Sequence, residues 1–280
     1  MKLITLALLA LASPALAEAQ LSAAISLPHS IPGGLSALEV ADNGTDVVLM
    51  TDRGVFLTGR LVRQNGKLAD LTILSTDPLH DPDGQVVEFP DFDSEGLAVM
   101  PDGRRIVSFE GKPRIWVYDT PSSNAAPIRS NTAFNGLQPN SGLEALAAGP
   151  DGTLYTIPER SGRQTRPFPV WRYRSNWDVA FEIPRRDVFL VTGADVGPDG
   201  RLYVLERDFV GIGFRSRVRR FNMDGSGEEV VFETALGTHS NLEGISVWRD
   251  DTGHLRLTMV SDNNENMFFA STLVEYQLDN

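Results

Sequence analysis

The chain has 280 residues, 25 basic against 37 acidic for a net charge of −12, and no cysteine. That balance excludes general nucleic-acid binding, which needs a basic face, and the missing cysteine excludes disulfides, thiolate metal sites and a cysteine nucleophile. With 41% hydrophobic and 22% charged residues, the composition is that of a globular protein.

In chain order, the first segment is MKLITLALLALASPALA. Lys2 leads an apolar run from Leu3 to Ala12, Ser13-Pro14 interrupts it, and Ala15-Leu16-Ala17 has the small-x-small form of a cleavage site. A bilayer span needs roughly 20 apolar residues, about twice this run. The expectation is a signal peptide over residues 1–17, cleaved after Ala17, and one domain over residues 18–280. The mature chain would be periplasmic or secreted and carry 24 basic against 37 acidic residues. No later segment is apolar enough to span a membrane, and without cysteine there is no lipoprotein anchor.

Five units follow. Each joins a short apolar run, a turn rich in Asp and Gly, and a second run rich in Val, Ile, Leu, Tyr and Phe. They begin near Ser36, Glu95, Glu144, Thr192 and Glu243. Their turn glycines, Gly44, Gly103, Gly152, Gly200 and Gly253, are separated by 59, 49, 48 and 53 residues. Such runs flanking Asp-Gly turns predict antiparallel strands. A period near 50 fits one four-stranded propeller blade. Further strands are expected at Val170–Tyr173 and Val179–Ile183 in the third unit, and at Arg217–Phe221 and Glu229–Phe232 in the fourth. The fold class predicted is all-β, a single propeller with five visible blades; the long first interval leaves room for a sixth. Gln20–Pro28 is expected to close the ring against Thr272–Leu278. The four tryptophans, Trp116, Trp171, Trp177 and Trp248, fall in strand patterns and read as core.

Each unit carries two acidic positions. One opens the first strand: Glu95, Glu144 and Glu243, with Ser36 and Thr192 in the other units. The other closes the second strand and reads as Asp52, Glu110, Glu159, Glu206 and Asp262. The Asp-Gly turn lies at the far end of the hairpin, so both positions fall at one mouth of the central channel. Many carboxylates there repel one another. A bound divalent cation, above all calcium with its six to eight oxygen ligands, would offset this. So would the basic residues that follow, Arg53, Lys112, Arg160, Arg163 and Arg207. Metal and cations together suit an ester or phosphate group. The expected roles are metal ligation by Glu95, Glu144, Glu243, Asp262, Asp52 and Asp93, proton transfer by Glu110 or Glu159, charge neutralisation by Arg160 and Lys112, and substrate binding by Arg53, Arg163 and Arg207. No G-x-S-x-G elbow, P-loop or dinucleotide fingerprint occurs. His239 precedes Glu243 by four residues and is the one histidine placed to reach that face.

Asp91–Gly103 (DFDSEGLAVMPDG), Ser108–Gly111 (SFEG), Gly33–Leu38 (GGLSAL), Thr51–Gly54 (TDRG), Asn241–Ile245 (NLEGI) and Val260–Asn263 (VSDN) resemble the phytase-like family, described by an esterase-like activity of phytase. The resemblance covers nearly the whole mature chain. It implies a divalent-metal-dependent hydrolase of esters or phosphoesters, with Asp52, Asp93, Glu95, Glu110, Glu144, Glu159, Glu243 and Asp262 as its acids. Two alternatives stand beside it. One is a gluconolactonase-like lactonase or aryl-esterase with a single axial metal, to which Asn140 and Asn263 would contribute. The other is a propeller that binds a ligand or partner without turnover, its metal structural. The partner expected is a small-molecule ester or phosphoester; a monomer is expected, with no nucleic acid and no membrane span.

Overall fold

The computed structural model describes residues 19–86, 93–137, 142–262 and 270–278. The predicted signal peptide, Asn140 and Asn263 lie outside them. The strands run in chain order through five four-stranded sheets. After β1 (Ala19–Ser26), the first blade holds β2 (Leu35–Val40), β3 (Asp46–Thr51), β4 (Val55–Gln64) and β5 (Lys67–Pro78). The second holds β6 (Ser94–Val99), β7 (Arg105–Phe109), β8 (Arg114–Tyr118) and the short β9 (Ala126–Pro127). The third holds β10 (Leu143–Ala148), β11 (Leu154–Pro158), β12 (Phe168–Tyr173) and β13 (Trp177–Ile183). The fourth holds β14 (Leu190–Val196), β15 (Leu202–Phe209), β16 (Phe214–Phe221) and β17 (Glu229–Glu233). The fifth holds β18 (Asn241–Arg249), β19 (Leu255–Asp262) and β20 (Thr272–Leu278), and β1 completes it by pairing antiparallel with β20 from Ala19 opposite Leu278 to Ser26 opposite Thr272. The N-terminal strand thus closes the ring on the last blade. The 59-residue first interval holds the long β4–β5 hairpin, and among the described residues no sixth blade occurs in it.

Local chemistry accounts for the repeat. In the second, third and fourth blades the turn aspartates Asp102, Asp151 and Asp199 accept the N–H two residues on. The glycine that follows each takes a positive φ, from +74° to +87°, which only glycine adopts without strain. The apolar residues pack between blades rather than inside one sheet. Among the described residues there are five buried clusters, one at each seam, and the seam of the fifth and first blades joins Leu35, Leu49 and Leu57 to Trp248, Val260 and Leu273. Trp171 and Trp248 are buried, while Trp116 and Trp177 are half-buried against these clusters. Among the described residues no helix is long and apolar enough to cross a membrane.

The innermost strands β2, β6, β10, β14 and β18 line the channel and approach closely because the residue after each strand-opening position is small: Ala37, Gly96, Ala145, Gly193 and Gly244. A Cβ on Gly244 would sit 2.8 Å from the Ala37 Cα, and one on Gly193 would sit 2.7 Å from the Glu243 carbonyl oxygen. At this level the inner strands enclose only about 10 Å³, room for about one water molecule at most. The waist is constricted, and the channel widens again on either side of it.

Candidate metal-carboxylate site

The strand-opening position is a β-bulge in all five blades. The register of the first two strands shifts between Leu35 and Ala37, Ser94 and Leu97, Leu143 and Ala145, Val191 and Gly193, and Leu242 and Gly244. A bulge leaves its extra residue outside the ladder and re-aims its side chain. Ser36, Glu95, Glu144, Thr192 and Glu243 occupy these positions and line the channel together. The two neutral members tie blades to one another: the Ser36 hydroxyl donates to the Ser94 carbonyl at 2.9 Å, and the Thr192 hydroxyl to that of Leu242 at 3.1 Å.

The second ring differs from the sequence reading at one blade. Leu35, Ser94, Leu143 and Leu242 pair with Thr51, Phe109, Pro158 and Ser261, so the next residues, Asp52, Glu110, Glu159 and Asp262, are equivalent. In the fourth blade Val191 pairs with Glu206, and the equivalent residue is Arg207. Side chains alternate faces along a strand, so Glu206 points away from the ring. It is fully buried, accepting from Arg217 Nε at 2.8 Å and Arg219 Nε at 2.9 Å. It belongs to the packing of its blade.

Arg207 instead places a guanidinium among the carboxylates. It donates to Glu243, to Asn241 Oδ1 at 2.6 Å and to Glu159 at 3.5 Å. Burial works against its charge, but Glu243, Glu144 and Glu159 outweigh it and hold the group above its ordinary value. Glu159 also pairs with Arg160 at 2.9 Å. Near them lies Arg185, which burial first and the charge of Arg160 second push below the usual arginine value. Glu144, Glu159, Arg160, Arg185, Arg207 and Glu243 form a compensated half of the mouth.

The other half has no comparable buried guanidinium among the described residues. Asp93, Glu95 and Glu110 bring carboxylate oxygens within 4.8 Å of one another. The Glu110 carboxyl is pushed up to about 8, by burial and then by a hydrogen bond with Asp93; two carboxyl groups bonded in this way share a proton. It also accepts the Gly142 N–H at 3.3 Å. Burial, then Glu144, Glu243 and Asp93, hold Glu95 well above the carboxylate range. Burial and then Glu159, Glu110 and Glu243 do the same for Glu144, against the pull of Arg207. Asp52 is raised to about 6 by burial and by Asp262, and its Oδ1 is buried without a hydrogen-bond partner. Glu243 stands at about 7, burial exceeding the effect of Arg207. A cluster of hard oxygen donors holding protons in place of a cation, with one carboxylate oxygen orphaned, is the donor set a divalent ion such as calcium takes. The residues fit the ion.

Of the predicted cations, Arg53 and Lys112 are exposed, Arg53 drawing Asp52 downward. Arg163 is exposed in the loop after Glu159, where its carbonyl accepts the Arg166 N–H. His239 is engaged elsewhere, its Nε2 lying 2.7 Å from the Tyr276 hydroxyl. Sequence reasoning missed Asn241, Gly34, Gly142 and Arg185. The first three share one offset, two residues before each bulge: Gly34, Asp93, Gly142, Leu190 and Asn241. Glycine there lets the second ring close in, because a Cβ on Gly34 would fall 2.2 Å from Asp52 Oδ1 and one on Gly142 would fall 2.9 Å from the Glu110 Cα.

A family model described as phytase-like, esterase-like activity of phytase, matches residues 31–265. No curated protein matches. Among solved structures, a Dyadobacter fermentans protein of unknown function is 9% identical with a TM-score of 0.51, over 93% of this chain and 99% of that one. A PQQ-bound aldose sugar dehydrogenase from Streptomyces coelicolor is 12% identical with a TM-score of 0.51, over 95% and 100%. These likenesses are of fold.

Proposed function

The chain belongs to the phytase-like family, and from that premise we propose that it is an exported hydrolase of esters or phosphoesters whose divalent metal, calcium by its donor set, sits among Asp93, Glu95 and Glu110, with Asp52 and Asp262 beside them. The observation that carries the reading is the split of the mouth into an uncompensated carboxylate cluster and a half built on Arg207, Arg160 and Arg185. When bound, the ion would polarise the scissile group and make its water acidic. The chain's own residues do the rest. Glu159, fixed by Arg160 and Arg207, is oriented to accept the proton of attacking water. Glu144, buried and proton-holding beside Glu95, is placed to donate to the leaving oxygen. Arg160 keeps half its surface exposed and, with Arg185, offers N–H groups to an anionic substrate. Arg207 is occupied by acids and works as a positioning residue.

The test is calcium binding by calorimetry, followed by turnover of a phosphomonoester, a phosphodiester and a lactone with and without chelator. Binding at one or two sites, lost in D93N and E95Q, and chelator-sensitive phosphoester turnover are expected. Lactone turnover alone points to the lactonase alternative. Binding without turnover of any substrate points to a ligand-binding propeller. No bound ion and no calcium-dependent stabilisation refutes the proposal. Export is checked separately: N-terminal sequencing of the secreted or periplasmic protein should begin at Glu18.

A further inference from the structure

Below the constricted waist the channel opens again, on the face of the Asp-Gly turns. There the inner-strand ends and turns of all five blades surround a cavity of about 740 Å³, a size typical of small-molecule sites. Its wall is largely apolar, from Val40, Val99, Met100, Pro150, Val196 and Val247. Two carboxylates from opposite sides of the ring, Glu39 on β2 and Asp195 on β14, stand at its floor. The equivalent residues of the second and third blades are Ala98 and Ala147, which leave the space open.

What holds these two acids sets them apart from the upper ring. Asp195 accepts the Val196 N–H at 2.7 Å and the Val247 N–H at 2.6 Å. Glu39 accepts the Ser246 hydroxyl at 3.3 Å and a backbone bond from Val99. Every donor is neutral, and among the described residues no basic side chain pairs with either. The other charged residues lining the cavity are Asp42, Asp46 and Arg105. Asp46 is taken by Arg60 at 3.2 Å. Arg105 spends Nη1 on the carbonyls of Gly103 and Asp119, and its Nε is buried without a partner. Thr58 Oγ1, also on the wall, is likewise buried and unpartnered. The cavity therefore presents more acidic groups than basic ones against an apolar wall.

We propose that this mouth is a second ligand site, built for an organic ammonium ion carried on an apolar body. The ammonium bonds Glu39 and Asp195, and the body covers the valine and proline wall. An inorganic ion would leave the wall wet, and a neutral or anionic ligand would bring no cation to the two carboxyl groups. Burial raises Glu39 well above its ordinary range and Asp195 to about 7, so a bound cation takes the place of a proton.

The experiment measures binding of n-hexylammonium, n-hexanol, n-hexanoate and calcium to the full chain by calorimetry, with E39Q/D195N as the variant. Hexylammonium should bind at least tenfold more tightly than hexanol or hexanoate. The double variant should lose that advantage while keeping its calcium affinity at the upper mouth. Hexylammonium and hexanol binding alike, hexanoate binding best, no binding of any organic probe, or calcium displacing hexylammonium from the wild type but not binding the variant would each overturn the proposal. With calcium saturating the upper mouth, the comparison of probes on the wild type decides the matter even if the double variant fails to fold. It is also independent of whether the upper mouth turns over any ester.

Discussion

Arg207 is the residue on which the upper mouth depends most, and Arg207→Met is the sharpest test of that. Methionine keeps much of the volume and removes only the charge. Its loss leaves Glu243 and Glu159 facing each other across the ring, with Asn241 as the remaining neutral donor to Glu243. Removing one partner of a buried pair costs about 3–5 kcal/mol. The Arg207 and Glu243 side chains are 20% and 14% exposed, so the lower end, about 3 kcal/mol, applies. Glu243 already titrates at about 7; without Arg207 it climbs further and takes up a proton, which limits the loss near neutral pH and lets it grow above. For a domain of this size about 3 kcal/mol lowers Tm by roughly 6–12 °C. The assay is thermal unfolding with chelator at pH 7.5 and 8.5 for R207M, E243Q and the double variant. E243Q should recover part of the loss, a coupling of about 1–3 kcal/mol. R53M, at an exposed position, should change Tm by no more than about 2 °C. R207M unfolding within 2 °C of wild type, or no coupling to E243Q, would refute the assignment.

Three further outcomes follow from the same geometry. The folded protein holds Asp52 at about 6, Asp195 and Glu243 at about 7 and Glu110 at about 8, all above their ordinary values. It therefore keeps protons that the unfolded chain releases at lower pH, so stability from these groups falls as pH rises from about 5 to 8.5; Tm in chelator should decline over that range and calcium should restore it, whereas a Tm that rises counts against the reading. Glu206→Gln should lose about 3 kcal/mol through its broken pairing with Arg217 and Arg219, yet leave calcium affinity unchanged by calorimetry; a weakened affinity would return Glu206 to the ring. Gly244→Ala drives a Cβ into the Ala37 backbone and should cost about 2 kcal/mol or more in denaturant unfolding, against about 1 kcal/mol for Gly253→Ala, where there is open space but φ is +90°; equal costs would mean the inner strands can spread.

The blades were legible because their turns are chemically distinctive: Asp-Gly at near-constant spacing announces a hairpin, and β-rich runs on both sides supply the strands. The closing strand was legible because a ring of blades needs one, and β1 over Ala19–Ser26 overlaps the expected Gln20–Pro28. The first ring was legible because Glu-Gly joins two demands at one place, a carboxylate in the bulge and no side chain where inner strands touch. The second ring was misread at Glu206 because an acid was sought where register was needed. Glu110, Glu159 and Arg207 each lie seven residues beyond their turn glycine, a regularity that selects Arg207. Arg185 carries no local pattern, and Asn241 only the offset of two residues before its bulge; their roles arise only when blades adjoin. The lower cavity was invisible because Glu39 and Asp195 come from blades two apart in the ring, and the same position holds alanine in the second and third blades.

The departures from the repeat are where the mouth acquires its chemistry. Ten equivalent acids would give a symmetric ring with repulsion everywhere and no preferred place for an ion. Here the fourth blade supplies Thr192 and Arg207 instead, and the first supplies Ser36. Arg207 reaches the acids of the blades on either side of it, Glu159 and Glu243, and its influence on Glu144 completes a neutralised arc. Opposite that arc, the second blade adds an extra acid, Asp93, beside Glu95 and Glu110. The sequence changes thus move charge rather than merely remove it, drawing cations to one side and leaving carboxylates in excess on the other. Under the proposed function, a cation entering the mouth would be attracted to the uncompensated side, and an anionic group bound to it would be drawn toward Arg160 and Arg185. This polarity, rather than the number of acids, is what makes a metal-dependent reaction on an ester or phosphate group the best-supported reading of the site.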